Sequence, residues 1–93
     1  MAQFVIRIHL EGGPAETVWE QLDHAMERSG FVRYIAASGN YYQLPDGEYV
    51  GESKLTRSQV LEMVRRAVES AWKQYGLLVT EGQCTFDLPM LKS

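Results

Sequence analysis

A single cysteine, Cys84, stands in 93 residues. It excludes an intramolecular disulfide, and with no CxxC and no Cys/His cluster it excludes the usual zinc and dithiol sites. A small chain without a bridge fits a reducing compartment, so a cytoplasmic location is expected. Net positive charge is also missing, since nine basic residues face twelve acidic ones for a formal charge of −3. General binding to a polyanion is thereby disfavoured, and any contact with nucleic acid needs a local basic patch. No apolar run approaches the roughly 20 residues that span a bilayer, and Met1-Ala2-Gln3-Phe4 lacks the basic opening of a signal peptide, so no membrane insertion is expected. There is no low-complexity segment, linker, P-loop, dinucleotide fingerprint or recognisable Ser/His/Asp arrangement. Glu11, Asp46, Glu48, Glu52 and Asp87 offer oxygen ligands, but at no spacing diagnostic of a metal. Neither a metal nor another cofactor is implied.

What the chain does have is a rhythm that occurs twice: apolar strand, amphipathic helix closed by glycine, apolar strand. In Phe4 to Leu10, Phe4, Ile6, Ile8 and Leu10 alternate with Val5, Arg7 and His9, the period of a strand with one buried face. Helix one starts near Pro14 to Glu16, carries Val18, Leu22, Ala25 and Met26 on one stripe and stops at Gly30. Phe31 to Ala37 reads as the second strand, Ser38-Gly39-Asn40 as a tight hairpin turn and Tyr41 to Leu44 as the third strand. Glu48 to Gly51 reads as a short extension or a loop after the Pro45-Asp46-Gly47 turn. Thr56 and Gln59 form a capping box, from which helix two is expected to run from Arg57 to Tyr75 and end at Gly76. Leu77 to Glu81 is then the fourth strand, Cys84 to Leu88 its continuation as an edge strand or bulge, and the tail after Pro89 is loose. The order β-α-β-β-α-β predicts one α+β domain over 1–93: a ferredoxin-like sandwich, its four-stranded antiparallel sheet in order 4-1-3-2 with both helices on one face.

On the first strand, Arg7, His9 and Glu11 recur at i, i+2, i+4 and so point to the face away from the helices. A cation beside a titratable imidazole is able to hold phosphate and move protons, although a solvated outer face has the same pattern. Arg33 on the second strand adds a second strand cation, and Tyr34, Tyr41 and Tyr42 supply aromatic rings on neighbouring strands. Arginine interleaved with aromatics on an open sheet is one way to stack single-stranded bases, but the RNA-recognition signature itself is absent. His24, beside Asp23, belongs to the exposed side of helix one. On helix two, Glu62 with Arg66 and Glu69 with Lys73 have the spacing of favourable i, i+4 pairs on a solvated face.

Several segments carry a family likeness: Phe4-Val5-Ile6-Arg7-Ile8, Met26-Glu27-Arg28-Ser29-Gly30-Phe31, Tyr42-Gln43-Leu44-Pro45 with Glu48-Tyr49, Thr56-Arg57-Ser58-Gln59-Val60 and Leu78-Val79-Thr80-Glu81. Together they resemble the small bacterial and prophage proteins grouped with the GhoS antitoxins. The resemblance implies a ferredoxin-like fold similar to that of small CRISPR-associated nucleases, and an endoribonuclease that destroys the message of a membrane toxin. Where those nucleases carry a metal-ligating aspartate near the end of strand one, this chain has His9-Leu10-Glu11. The expected reaction is therefore metal-independent cleavage of single-stranded RNA, with His9 as proton carrier, Arg7 and Arg33 on phosphate and Tyr34, Tyr41 or Tyr42 on a base. A non-catalytic module that binds a host or defence protein is the alternative. The chain is expected to be a monomer or a homodimer.

Overall fold

The computed structural model describes residues 1–91. It is an α+β structure of two helices and five strands: β1 (Ala2–Leu10), α1 (Glu16–Arg28), β2 (Tyr34–Ala37), β3 (Asn40–Gln43), β4 (Glu48–Ser53), α2 (Arg57–Glu69) and β5 (Tyr75–Glu81). The alternation of β1 does what its period requires. Phe4, Ile6, Ile8 and Leu10 are buried and Arg7 and His9 are exposed. Leu22, Ala25 and Met26 of α1 and Val60, Val64, Ala67 and Val68 of α2 close over that buried row from the same side, together with Phe31 and Tyr49. Both helices therefore lie on one face of the sheet.

Helix boundaries follow local capping chemistry at two of the four ends. Gly30, at φ +91°, turns the chain out of α1 while its amide and that of Phe31 bond the Glu27 and Met26 carbonyls. At the start of α2, Thr56 Oγ1 accepts from the Gln59 amide and Gln59 Oε1 accepts from the Thr56 amide. The far end of α2 departs from expectation. The helix stops at Glu69, and Gly76 lies within β5, paired with His9. Ala71, Trp72 and Tyr75 continue the apolar spacing, but Ala71 and Trp72 pack on the core from the turn and Tyr75 from the start of β5, none of them from a helix. The Trp72 indole donates to the Glu11 carbonyl at 2.7 Å and the Gln74 carbonyl accepts from the Glu11 amide, which ties the turn to the end of β1.

The sheet is the second departure. Three antiparallel strands are ordered β4-β1-β5, and β2 with β3 makes a separate two-stranded sheet, so the four strands do not form one continuous ladder. Glu48 to Gly51, expected as a short extension or a loop, belongs to the strand Glu48–Ser53 beside β1, with Tyr49 wholly buried. Tyr41 to Leu44, expected in that place, is instead the outer arm of the hairpin, whose Ser38 and Gly39 both take the positive φ of a two-residue primed turn. The hairpin joins the main sheet through one bridge, where Val32 and Val50 exchange amide and carbonyl bonds of 2.9 Å. The chain then bends at Arg33, and the ladder ends there. Cys84 to Leu88 forms no strand; this segment leaves β5 for the hairpin, where Met90 bridges Tyr42 and the Leu91 amide bonds the Tyr41 carbonyl. The tail after Pro89 is thus anchored as far as Leu91. No helix among the described residues is long and apolar enough to cross a membrane.

Candidate functional site

The strand registers fix which side chains share the sheet face away from the helices, because residues directly opposite in an antiparallel ladder point the same way. One row across that face reads Val32, Val50, Val5, Thr80; the next reads Glu48, Arg7, Leu78; the third is His9 opposite Gly76. Arg7 and His9 are therefore neighbours on one exposed face. The Arg7 side chain is 65% exposed and its guanidinium stands 3.5 Å from the Glu48 carboxylate. An ion pair this open leaves the arginine available to a phosphate. Gly76 has free space where a Cβ would stand, so the flank of His9 is open.

Arg33 does not join them. It follows outward-facing Val32 and turns to the helix side, where it donates to Asp23 at 3.2 Å and to Asp46. Asp23 in turn accepts the hydroxyl hydrogen of Tyr49. Burial pulls the Arg33 guanidinium towards a lower pKa, but Asp23 and Asp46 outweigh it and raise the value above the ordinary one. Burial, followed by the bond to Asp23, pushes the Tyr49 hydroxyl well above its ordinary pKa. This clamp spans α1, the bend before β2 and the turn into β4. Its chemistry is that of a brace: the arginine's charge is spent on two carboxylates.

The tyrosines also divide. Tyr34 and Tyr41 are exposed and meet edge to face, ring centroids 5.5 Å apart, on one side of the hairpin. Tyr42 is on the other side, half-buried with its ring 5.3 Å from Phe86. A hollow of about 340 Å³, lined by Gln3, Val32, Tyr34, Val50 and Glu52 among others, connects the Tyr34 side of the hairpin with the outer sheet face. His24 is exposed on α1. Among the described residues no group of three or more His, Cys, Asp or Glu is arranged to hold a metal ion.

One feature is not legible in the sequence pattern. Glu62 pairs with Arg65 at 3.4 Å instead of with Arg66, and Glu69 accepts from the Tyr75 hydroxyl instead of meeting Lys73. Arg66 is left to line a groove of about 680 Å³ between the helices, with Arg28, Ser29, Ser58, Gln59 and Ser70 among its other walls. Arg28 and Arg66 make no ion pair among the described residues. The spacing of i, i+3 against i, i+4 partners is the signal that would have separated the two arrangements, and it favours neither strongly. The chain matches no family model and no curated protein sequence.

Proposed function

We propose that this protein cleaves single-stranded RNA on the outer face of its sheet, as a cytoplasmic endoribonuclease of the GhoS-like antitoxin type. The observation that carries the reading is the pairing of Arg7 and His9 on one exposed strand face, with Gly76 leaving the imidazole's flank open. In this reading Arg7 holds the scissile phosphate and stabilises the charge that builds on it. The His9 imidazole removes the proton of the 2′-hydroxyl, the 2′-oxygen attacks phosphorus, and the 5′-oxygen leaves with a proton from solvent. The products are a 2′,3′-cyclic phosphate and a 5′-hydroxyl end. Tyr34 and Tyr41, exposed beside the hollow that opens from this face, offer a ring to a neighbouring base. The fold underlying the proposal is ferredoxin-like, with Val32 in the place of a fourth strand next to β4 and both helices behind the sheet.

The test is cleavage of single-stranded cellular RNA by the purified protein, with end-group analysis, in the presence and absence of EDTA. His9→Ala and Arg7→Ala should each slow cleavage at least about tenfold, a loss of about 1.4 kcal/mol in transition-state stabilisation. Arg33→Ala should lower stability first. Full activity in both outer-face variants would reject the site.

A second reading, a non-catalytic module that binds a protein partner, is favoured by one specific observation. Arg33, the second cation expected on the site, is bound to Asp23 and Asp46 on the helix side, so no pair of arginines converges beside His9. Absence of cleavage together with stoichiometric capture of one partner would select this reading.

A further inference from the structure

β5 is an edge strand, bonded to β1 alone in the order β4-β1-β5. The ladder's parity tells which of its backbone groups are spare. The amide of Ile8 bonds the Gly47 carbonyl on the β4 side, whereas the Gly82 amide bonds the Gln3 carbonyl and the Glu11 amide bonds the Gln74 carbonyl on the β5 side. Odd-numbered residues of β1 thus bond β5, and they stand opposite Gly76, Leu78 and Thr80. The amides and carbonyls of Tyr75, Leu77, Val79 and Glu81 point to the open edge, with no backbone partner among the described residues.

Two other edges are shielded, and the outer edge of β2 is only four residues long. The outer edge of β4 takes the Val32 bridge and carries Glu48 and Glu52, and β3 is flanked by the segment that includes Pro89 and Met90. The β5 edge has none of the usual deterrents: no proline, no lysine and no charge before Glu81. Leu78 at its centre is 57% exposed.

We infer that β5 pairs antiparallel with β5 of a second copy about a two-fold axis at Leu78, giving a homodimer with a continuous six-stranded sheet. That register is compatible with the spare groups. It sets Leu77 opposite Val79 and Tyr75 opposite Glu81, all with outward amides and carbonyls, and it uses every residue of the strand. Each of these pairs exchanges two hydrogen bonds, while Leu78 meets Leu78 in the non-bonded position on the outer face. Both ends carry charges of mixed sign. Glu81, its side chain 45% exposed and 3.8 Å from its own Arg57, arrives beside Tyr75 of the other copy, whose hydroxyl lies 3.4 Å from the Arg65 guanidinium and also bonds Glu69. Arg65, 41% exposed, is at that end and pairs with its own Glu62 at 3.4 Å. The pairing places two Arg7 and His9 faces side by side on one surface, yet it does not depend on either being catalytic.

Sedimentation equilibrium on the full chain without RNA should give twice the 10.6 kDa of one copy at concentrations up to roughly 100 µM, the range of a small interface. Leu78→Glu, which opposes two charges across the axis at an exposed position, should restore the single-copy mass with an unchanged circular dichroism spectrum. In a Cys84→Ser background, Leu78→Cys should oxidise to a linked dimer, since facing non-bonded residues lie about 4.5 Å apart, within the span of a disulfide. Thr80→Cys should stay unlinked, because its counterpart is offset by four residues. A single-copy mass throughout the range, a Leu78→Glu variant that remains dimeric, or Thr80→Cys linking as fast as Leu78→Cys would each overturn the inference. Cleavage is measured separately, so loss of the dimer and loss of the nuclease are distinct outcomes.

Discussion

Asp23→Ala removes the centre of the clamp that holds α1 to the bend before β2 and to β4. Asp23 accepts the hydroxyl of Tyr49, a side chain with no exposed surface, and pairs with Arg33 at 3.2 Å, where the two side chains are 27% and 23% exposed. The lost bond from the buried hydroxyl to a carboxylate costs about 1.5–3 kcal/mol. The part-buried ion pair adds about 1 kcal/mol, and alanine returns about 0.5 kcal/mol through its better helix propensity. The net loss is about 2–3.5 kcal/mol, a drop of roughly 4–8 °C in Tm per kcal/mol for a chain of this size. Urea unfolding followed by the fluorescence of Trp19 and Trp72 measures it. Asp46→Ala is the control: that carboxylate is 89% exposed, and its removal should cost no more than about 1 kcal/mol. If Asp23→Ala lost less than about 0.5 kcal/mol, or no more than Asp46→Ala, the clamp would not brace the fold and Arg33 would be free for another role.

Stability should fall as pH rises through about 10, because an unfolded tyrosine ionises there while the raised pKa of Tyr49 keeps its hydroxyl protonated in the native state. Below that pH the contribution is fully present. Tyr49→Phe should flatten the slope, with a remainder from Tyr75, whose pKa is raised by its bond to Glu69; urea titrations between pH 8 and 11 read both. Gly51→Ala should cost about 1–3 kcal/mol by thermal unfolding, since its Cβ would meet the Gly30 carbonyl and lie 2.6 Å from Cδ1 of Phe31. Ile6→Ala, at the wholly buried centre of β1, should cost about 2–5 kcal/mol in the same assay.

Much of the fold was legible because its signals are local. The alternation of β1, the stop at Gly30, the Thr56 cap and the Ser38-Gly39 turn each depend on residues within one or two turns of chain. β4 was missed because Glu48 to Ser53 holds two apolar residues, and a glycine stands where Phe31 and the Gly30 carbonyl press on it. The end of α2 was missed because Ala71 and Tyr75 face the core in two different ways, from a turn and from a strand, yet at helical spacing. The outer-face placement of Arg7 and His9 was readable from period two alone. Arg33 was not: its direction is decided by Asp23 and Asp46, ten and thirteen residues away in sequence, and by the bend that its capture accompanies. Tyr42 parts from Tyr34 and Tyr41 for the same non-local reason, the arrival of Phe86 from the end of the chain.

The measurement closest to the central claim is amide chemical-shift mapping of the labelled protein titrated with a short single-stranded oligoribonucleotide in which the reactive 2′-hydroxyls are blocked. If RNA is handled on the outer sheet face, the shifts that move are those of Arg7, His9 and Leu78, joined by Tyr34 and Tyr41 of the hairpin, and Arg7→Ala abolishes them. Shifts confined to Arg28, Ser58 and Arg66 in the groove between the helices, or none at all, would contradict the account.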